Sequence, residues 1–115
     1  MGRYIAKLMF NINIDNGNHA TQFDEQIRIV ESSNLENAFH KARVLGKKEE
    51  EVFMNKDQKP VNWKFIDVLD LYPLEELKDG DQIYSTTHED QDSKSFINYI
   101  RSKSMLIQAK SLTFA

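Results

Sequence analysis

Apolar side chains occupy every second position between Arg3 and Ile14, an alternation typical of a β-strand with one buried face. The alternating residues are Tyr4, Ala6, Leu8, Phe10, Ile12 and Ile14. The opposite face begins apolar, with Ile5 and Met9, and ends polar, so we expect it to be only half covered. A strand of this length spans on the order of 35 Å, so we expect the other segments to pair with it or pack on it.

A cluster of turn-forming residues, Asp15 to His19, predicts that the chain reverses direction after this strand. A second strand is predicted from about Gln22 to Glu31. If the apolar faces of the two strands coincide, Glu25 lies opposite Ile12 on the apolar face. A carboxylate in that position needs a proton, a place at the frayed edge, a bulge that turns it outward, or a basic partner such as Lys7.

The next segment has the pattern of an amphipathic helix. Ser33 and Glu36 match the capping box, which marks a helix start. Apolar residues then recur at helical spacing and predict packing on the sheet: they are Leu35, Ala38, Phe39, Ala42 and Leu45. Gly46 is the predicted stop, although Glu49 to Glu51 could continue the helix by one turn.

The second half of the chain predicts two further strands and a helix. Residues Val61 to Tyr72 are rich in apolar side chains but lack a strict period, which fits a strand buried on both faces or a bulge near Ile66 and Asp67. A shorter edge strand is predicted at about Gln82 to His88. Asp92 is then placed to cap a final helix.

These elements follow the order ββαββα. We therefore interpret the chain as an α+β protein with a mostly antiparallel sheet of four strands and helices packed on one face. Its 115 residues fit one domain, which we expect to cover residues 1–110, followed by a flexible C-terminal tail at residues 111–115.

Composition narrows the classes of function. The 15 basic and 18 acidic residues leave a net charge of −3, so we expect no nucleic-acid partner. The chain has no cysteine, which excludes disulfides, thiolate metal sites and cysteine nucleophiles. We see no signal peptide and no membrane-spanning run, and we expect a cytoplasmic protein without a membrane partner.

No residues match a known catalytic, metal or cofactor motif, and we predict no cofactor. A tentative pocket can be drawn at the end of the hairpin from Glu25, Asp24, His19 and Trp63. In that pocket Glu25 is the most distinctive residue, while His19 is best explained as a solvated loop histidine and Trp63 as a core residue. The apolar side chains Ile5 and Met9 are instead candidates for an interface.

Several segments together resemble a family of small bacterial proteins that form a domain of unknown function. They are Tyr4 to Phe10, Gln22 to Gln26, Ala38 to Gly46, Trp63 to Val68 and Leu74 to Gly80. The resemblance implies a bacterial, cytoplasmic, stand-alone domain. It implies no catalytic residue.

Taken together, the sequence favours a non-enzymatic protein-interaction domain that self-associates through its sheet. Its expected partner is a second copy, as a homodimer, or another bacterial protein. The reason is that helices on one face of the sheet cannot cover apolar residues on both faces. The alternative is a ligand-binding or hydrolytic domain with a site near Glu25, Asp24, His19 and Trp63.

Overall fold

A computed structural model describes residues 1–114, with side chains through Leu112. The chain forms two compact units: Met1–Asp81, and a second that begins at Gln82. Each is described by itself. The single domain over residues 1–110 stays a prediction.

The first unit is built on an antiparallel sheet in the order β2-β1-β4-β3. Its strands are β1 (Gly2–Ile14), β2 (Gln22–Ser32), β3 (Glu51–Met54) and β4 (Pro60–Leu74), and its helix is α1 (Leu35–Lys48). A short 3-10 turn, Asp15–Gly17, joins β1 to β2 through residues with positive φ, as the turn cluster predicts. The four-stranded antiparallel sheet and the order ββαββα confirm the α+β prediction.

The core lies between α1 and one face of the sheet, called the α1 face below. Ala6, Leu8 and Phe10 of β1 are fully buried there with Ala38 and Ala42 of α1. These are alternate positions of β1, which confirms that its uninterrupted apolar alternation marks the buried face. The other side of the sheet is called the distal face.

The register of the hairpin differs from the predicted one. Glu25 lies opposite Met9, and Phe10 lies opposite Asp24. The predicted pairing of Glu25 with Ile12 is therefore wrong. The physical reason is that the apolar row of β2 does not face α1; polar residues of β2 occupy the half-buried α1 face, where they bond one another.

The edge strand next to β4 also differs from the prediction. Residues 82–88 form no strand, and β3 pairs with the start of β4 instead. A tight turn makes this pairing possible, because the Asn55 side-chain oxygen accepts hydrogen bonds from the backbone N–H groups of Asp57 and Lys59, both at 3.0 Å. The predicted bulge in β4 is confirmed, since the pairing with β1 skips Ile66 and, at a second irregularity, Leu69.

Both predicted ends of α1 need correction. Asn34, rather than Ser33, caps the helix, and its Oδ1 accepts from the Asn37 backbone N–H at 2.8 Å. Gly46 does not stop the helix, which continues to Lys48. A Cβ at Gly46 would meet the ring of Phe65, so glycine allows α1 to approach the sheet closely.

The second unit consists of an irregular segment followed by α2 (Ser93–Phe114). Asp92 caps this helix as predicted, since its carboxylate accepts from the Ser95 backbone N–H at 3.1 Å and from the Ser95 hydroxyl at 2.8 Å. These bonds hold the pKa of Asp92 below its usual value. The tail expected at residues 111–115 is helical as far as Phe114, and Ala115 lies outside the described residues. No helix within residues 1–114 is both long and apolar enough to cross a membrane.

Candidate interaction surface

The structure separates the residues of the tentative pocket. Asp24 and Glu25 are neighbours in β2 and therefore point to opposite faces of the sheet. Trp63 lies on the α1 face, with its ring centroid 6.3 Å from that of Phe10. His19 is exposed in the turn before β2. Asp24 and Trp63 thus lie on the α1 face, whereas Glu25 lies on the distal face.

Glu25 has the basic partner that its position requires. The Nζ atom of Lys7 lies 3.6 Å from Glu25 Oε1. Lys7 is only 4% exposed, and a buried ammonium group needs such a carboxylate to offset its desolvation. Of the alternatives that the sequence leaves open for Glu25, the structure shows the pairing with Lys7. We interpret Glu25 as part of a structural ion pair on the distal face.

The distal face carries an exposed apolar row on β2. Phe23, Ile27 and Ile29 are 64%, 52% and 59% exposed. The two residues that the sequence singled out for an interface, Ile5 and Met9, lie beside this row on β1 and are buried and half-buried. In the β1–β2 hairpin, the exposed apolar side chains of the distal face are therefore on β2 rather than on β1.

The backbone of β2 shows which of its groups point away from the sheet. Lys41 donates from Nζ to the backbone carbonyl of Glu31 at 2.8 Å, so this carbonyl points outward from β1. Hydrogen-bonding direction alternates along a strand, so the N–H and C=O groups of Phe23, Glu25, Ile27 and Ile29 also point outward. Among the described side chains, which end at Leu112, none is bonded to these backbone groups. This segment of β2 is a free strand edge.

On the opposite side of the sheet, the part of β4 that extends beyond β3 has backbone donors bonded by side chains of the same unit. β3 pairs only with Pro60 to Trp63, and within the described residues the rest of β4 has no strand on the side away from β1. Carboxylates bond three of its backbone N–H groups: Glu50 bonds Phe65 at 3.0 Å, Asp67 bonds Val68 at 2.8 Å and Asp70 bonds Leu71 at 2.9 Å. Pro73 is the next residue of β4 whose backbone is directed outward, and proline has no backbone N–H. An added strand would find no free donor at these positions.

Arg43 of α1 holds one of these carboxylates in place. Its Nε and Nη2 atoms donate to the two oxygens of Asp67, both at 3.0 Å. This bidentate bond, together with the bond from the Val68 backbone N–H, holds the pKa of Asp67 below its usual value. Asp67 is therefore an ionised link between α1 and the edge of β4.

A polar cavity of about 430 Å³ lies where the first turn approaches β3. Asn13, Asn16, Asn62 and Val52 contribute to its lining. The Oδ1 atom of Asn62 is buried without a hydrogen-bond partner. Within the described residues, no group of three or more His, Cys, Asp or Glu side chains is arranged to hold a metal ion. The lining of the cavity is therefore rich in amide side chains.

A shallow apolar groove of about 570 Å³ lies between α1 and β4. Leu35, Phe39 and Leu71 line it, with Glu36 beside them. The groove borders the part of β4 whose N–H groups are already bonded, so an extended chain placed there gains few backbone hydrogen bonds. The free edge of β2 is the better candidate for pairing with another strand.

These features define a small α+β protein with a four-stranded antiparallel sheet, a free edge at β2 and carboxylates that bond the outer backbone donors of β4. Residues 3–85 match the family described as Domain of unknown function (DUF4288). This span contains the whole sheet and α1, and the chain belongs to this family. The predicted resemblance to a domain of unknown function is confirmed. No curated protein and no solved structure matches the chain.

Proposed function

We propose that this protein is a non-enzymatic interaction domain that self-associates through its sheet, as a homodimer in which β2 forms the interface. The observation that carries the proposal is the coincidence of two features on one strand. Among the described residues, the outward backbone groups of β2 from Phe23 to Ile29 are unbonded, and Phe23, Ile27 and Ile29 expose more than half of their surface beside them.

The apolar row is large enough to contribute to a stable association. Complete burial of a side chain such as Ile or Phe stabilises by about 1.5–3 kcal/mol. Since each of these side chains is roughly half exposed, burial in a dimer supplies at most about 1 kcal/mol apiece, or at most about 6 kcal/mol for the six residues of two copies. Backbone hydrogen bonds between the strands add about 0.5–1.5 kcal/mol each. Association opposes this with at least about 4 kcal/mol, so we expect dissociation in the micromolar range.

The proposal is tested by measuring molar mass with light scattering across a concentration series from about 1 µM to 1 mM. We expect the mass to rise from the monomer value of 13.4 kDa to twice that value. A monomer at every concentration contradicts the proposal and directs the search to a different protein partner.

A pair of matched variants locates the interface. Ile29→Lys places a charge in the apolar row of β2, and we expect it to remain monomeric. Leu69→Lys is the control, since Leu69 is 60% exposed, close to the 59% of Ile29, but lies at a bulge of β4. We expect this control to dimerise like the parent chain. Equal loss of the dimer in both variants would rule out an interface at β2.

The alternative, a ligand-binding or hydrolytic site near Glu25, Asp24, His19 and Trp63, is not favoured by the geometry. Glu25 is paired with Lys7 on the distal face, whereas Asp24 and Trp63 lie on the α1 face. A hydrolytic site needs its acid, base and substrate pocket together. We therefore base the proposal on the surface of β2.

A further inference from the structure

We propose that the two copies pair through the outer edges of β2, antiparallel and in one register, with Gln26 on the twofold axis. This inference rests on the proposed self-association and adds the edge and register. The pairing joins two four-stranded sheets into one continuous sheet.

Hydrogen-bond direction limits the possible registers. Antiparallel strands form bonded pairs only between residues whose N–H and C=O groups point at the partner. In β2 these are the odd-numbered residues, as the bond from Lys41 to the Glu31 carbonyl indicates. An odd residue must therefore pair with an odd residue of the second copy. The twofold axis then passes through a residue rather than between two residues.

Charge selects among these registers. An axis at Asp24, Glu25 or Arg28 places that charged residue opposite its own copy, which is unfavourable. An axis at Ile27 avoids this but places Phe23 opposite the charged Glu31 of the second copy.

An axis at Gln26 also leaves one charged residue opposite an apolar one, Glu25 opposite Ile27 of the second copy, but it gives complementary pairs on both faces. On the α1 face, Asp24 lies opposite Arg28 of the second copy, and this pair occurs twice by symmetry. On the distal face, Phe23 lies opposite Ile29 of the second copy, also twice. Opposite charges and aromatic–β-branched pairs are both favourable across antiparallel strands. Of the axes compared, this one gives both kinds of pair.

Existing hydrogen bonds hold the charged side chains in position for this pairing. Gln26 donates from Nε2 to Asp24 Oδ2 at 2.8 Å, and Arg28 donates from Nε to Gln26 Oε1 at 3.1 Å. Arg28 Nη2 also lies 3.0 Å from Glu49 Oε1 of α1. The row Asp24–Gln26–Arg28 is thus ordered along the α1 face before a partner arrives, which lowers the entropy loss on pairing.

The register is tested by disulfide formation, since the chain contains no cysteine. In the proposed pairing, Gln26 faces its own copy in a non-hydrogen-bonded pair, where Cα atoms lie about 4.5 Å apart and a disulfide fits. We expect oxidised Gln26→Cys to form a covalent dimer. Ile27→Cys tests the competing register, in which the axis passes through Ile27. Leu69→Cys reports cross-linking by random collision. We expect little cross-linking of either variant.

A charge exchange provides a second test that needs no disulfide. Asp24→Arg alone places arginines opposite each other, and Arg28→Asp alone places aspartates opposite each other, so each variant should be monomeric. Mixed in equal amounts, they restore opposite charges at both pairs and should form a heterodimer with affinity within about tenfold of the parent. Circular dichroism checks that each variant is folded.

The outcomes separate the register from the proposed function. If the parent chain dimerises but Ile27→Cys cross-links and Gln26→Cys does not, this register is overturned. The proposed self-association then still stands. If the parent chain dimerises but neither Gln26→Cys nor Ile27→Cys cross-links, and the two charge variants form no heterodimer, pairing at this edge is overturned. A parent chain that stays monomeric ends the proposed self-association itself.

Discussion

Gly46 is the position where a single methyl group should have the clearest effect on stability. A Cβ added there would overlap three atoms of the Phe65 ring, well inside van der Waals contact distance. Phe65 is buried, and its ring also packs against Phe10 at a centroid distance of 5.5 Å. The ring therefore cannot move aside without disturbing the core. We expect Gly46→Ala to strain the contact between α1 and β4.

The size of the effect follows from two opposing terms. Alanine is favoured over glycine inside a helix by about 0.8–1.0 kcal/mol. Overpacking a core costs about 1–3 kcal/mol, and the close approach to three ring atoms points to the upper part of that range. We expect Gly46→Ala to lower the free energy of unfolding by about 1–2 kcal/mol, which corresponds to a fall in Tm of roughly 4–16 °C for a unit of this size.

The assay is thermal and urea unfolding followed by the fluorescence of Trp63, the one tryptophan of the chain, which reports on the first unit. The control is the same change in a Phe65→Leu background, where the ring is absent. There Gly46→Ala should be neutral or stabilising by up to about 1 kcal/mol. A rise in Tm on the parent background, or an equal fall on both backgrounds, would refute the steric explanation.

Two further predictions concern single polar groups. Asp67→Asn should lower the urea midpoint at neutral pH, because the bonds from Arg43 and the Val68 N–H favour the ionised carboxylate and depress its folded-state pKa. That contribution is present above the usual carboxylate pKa of 3.8 and is lost as pH falls through the lower folded value. The difference between variant and parent should therefore hold from about pH 7 to about pH 4 and shrink below about pH 4, and a difference that stays constant on acidification would contradict this account. Asn62→Val removes a buried acceptor that has no partner and should raise the free energy of unfolding by about 1 kcal/mol, measured by urea unfolding. A loss of stability would show instead that the amide is bonded to water or a ligand in solution.

The central strand was predictable because its apolar alternation is strict and one face of it forms the core. The same rule failed for β2. Alternation shows which residues share a face, but it does not show which face the helix covers. In β2, polar residues on the α1 face satisfy one another through Asp24, Gln26 and Arg28, so the apolar Phe23, Ile27 and Ile29 remain exposed.

The edges of the sheet could not be predicted from the sequence. β3 is only four residues long and follows a helix directly, too short for a periodic pattern to be recognised. The Lys7–Glu25 pair was foreseeable, because a carboxylate on an apolar strand needs a basic partner and Lys7 lies on the adjacent strand. The bonds from Glu50, Asp67 and Asp70 depend on which backbone groups point outward, and that direction is known only when the pairing of all strands is known.

The closed edge of β4 also limits how large an assembly can become. A sheet with two free edges can add copies at both ends and grow into a fibre. Here Glu50, Asp67 and Asp70 occupy donor groups of β4 on one side, and the proposed pairing at β2 occupies the other. We therefore expect growth to end at two copies. We expect removal of these three carboxylates to make the domain more prone to aggregate.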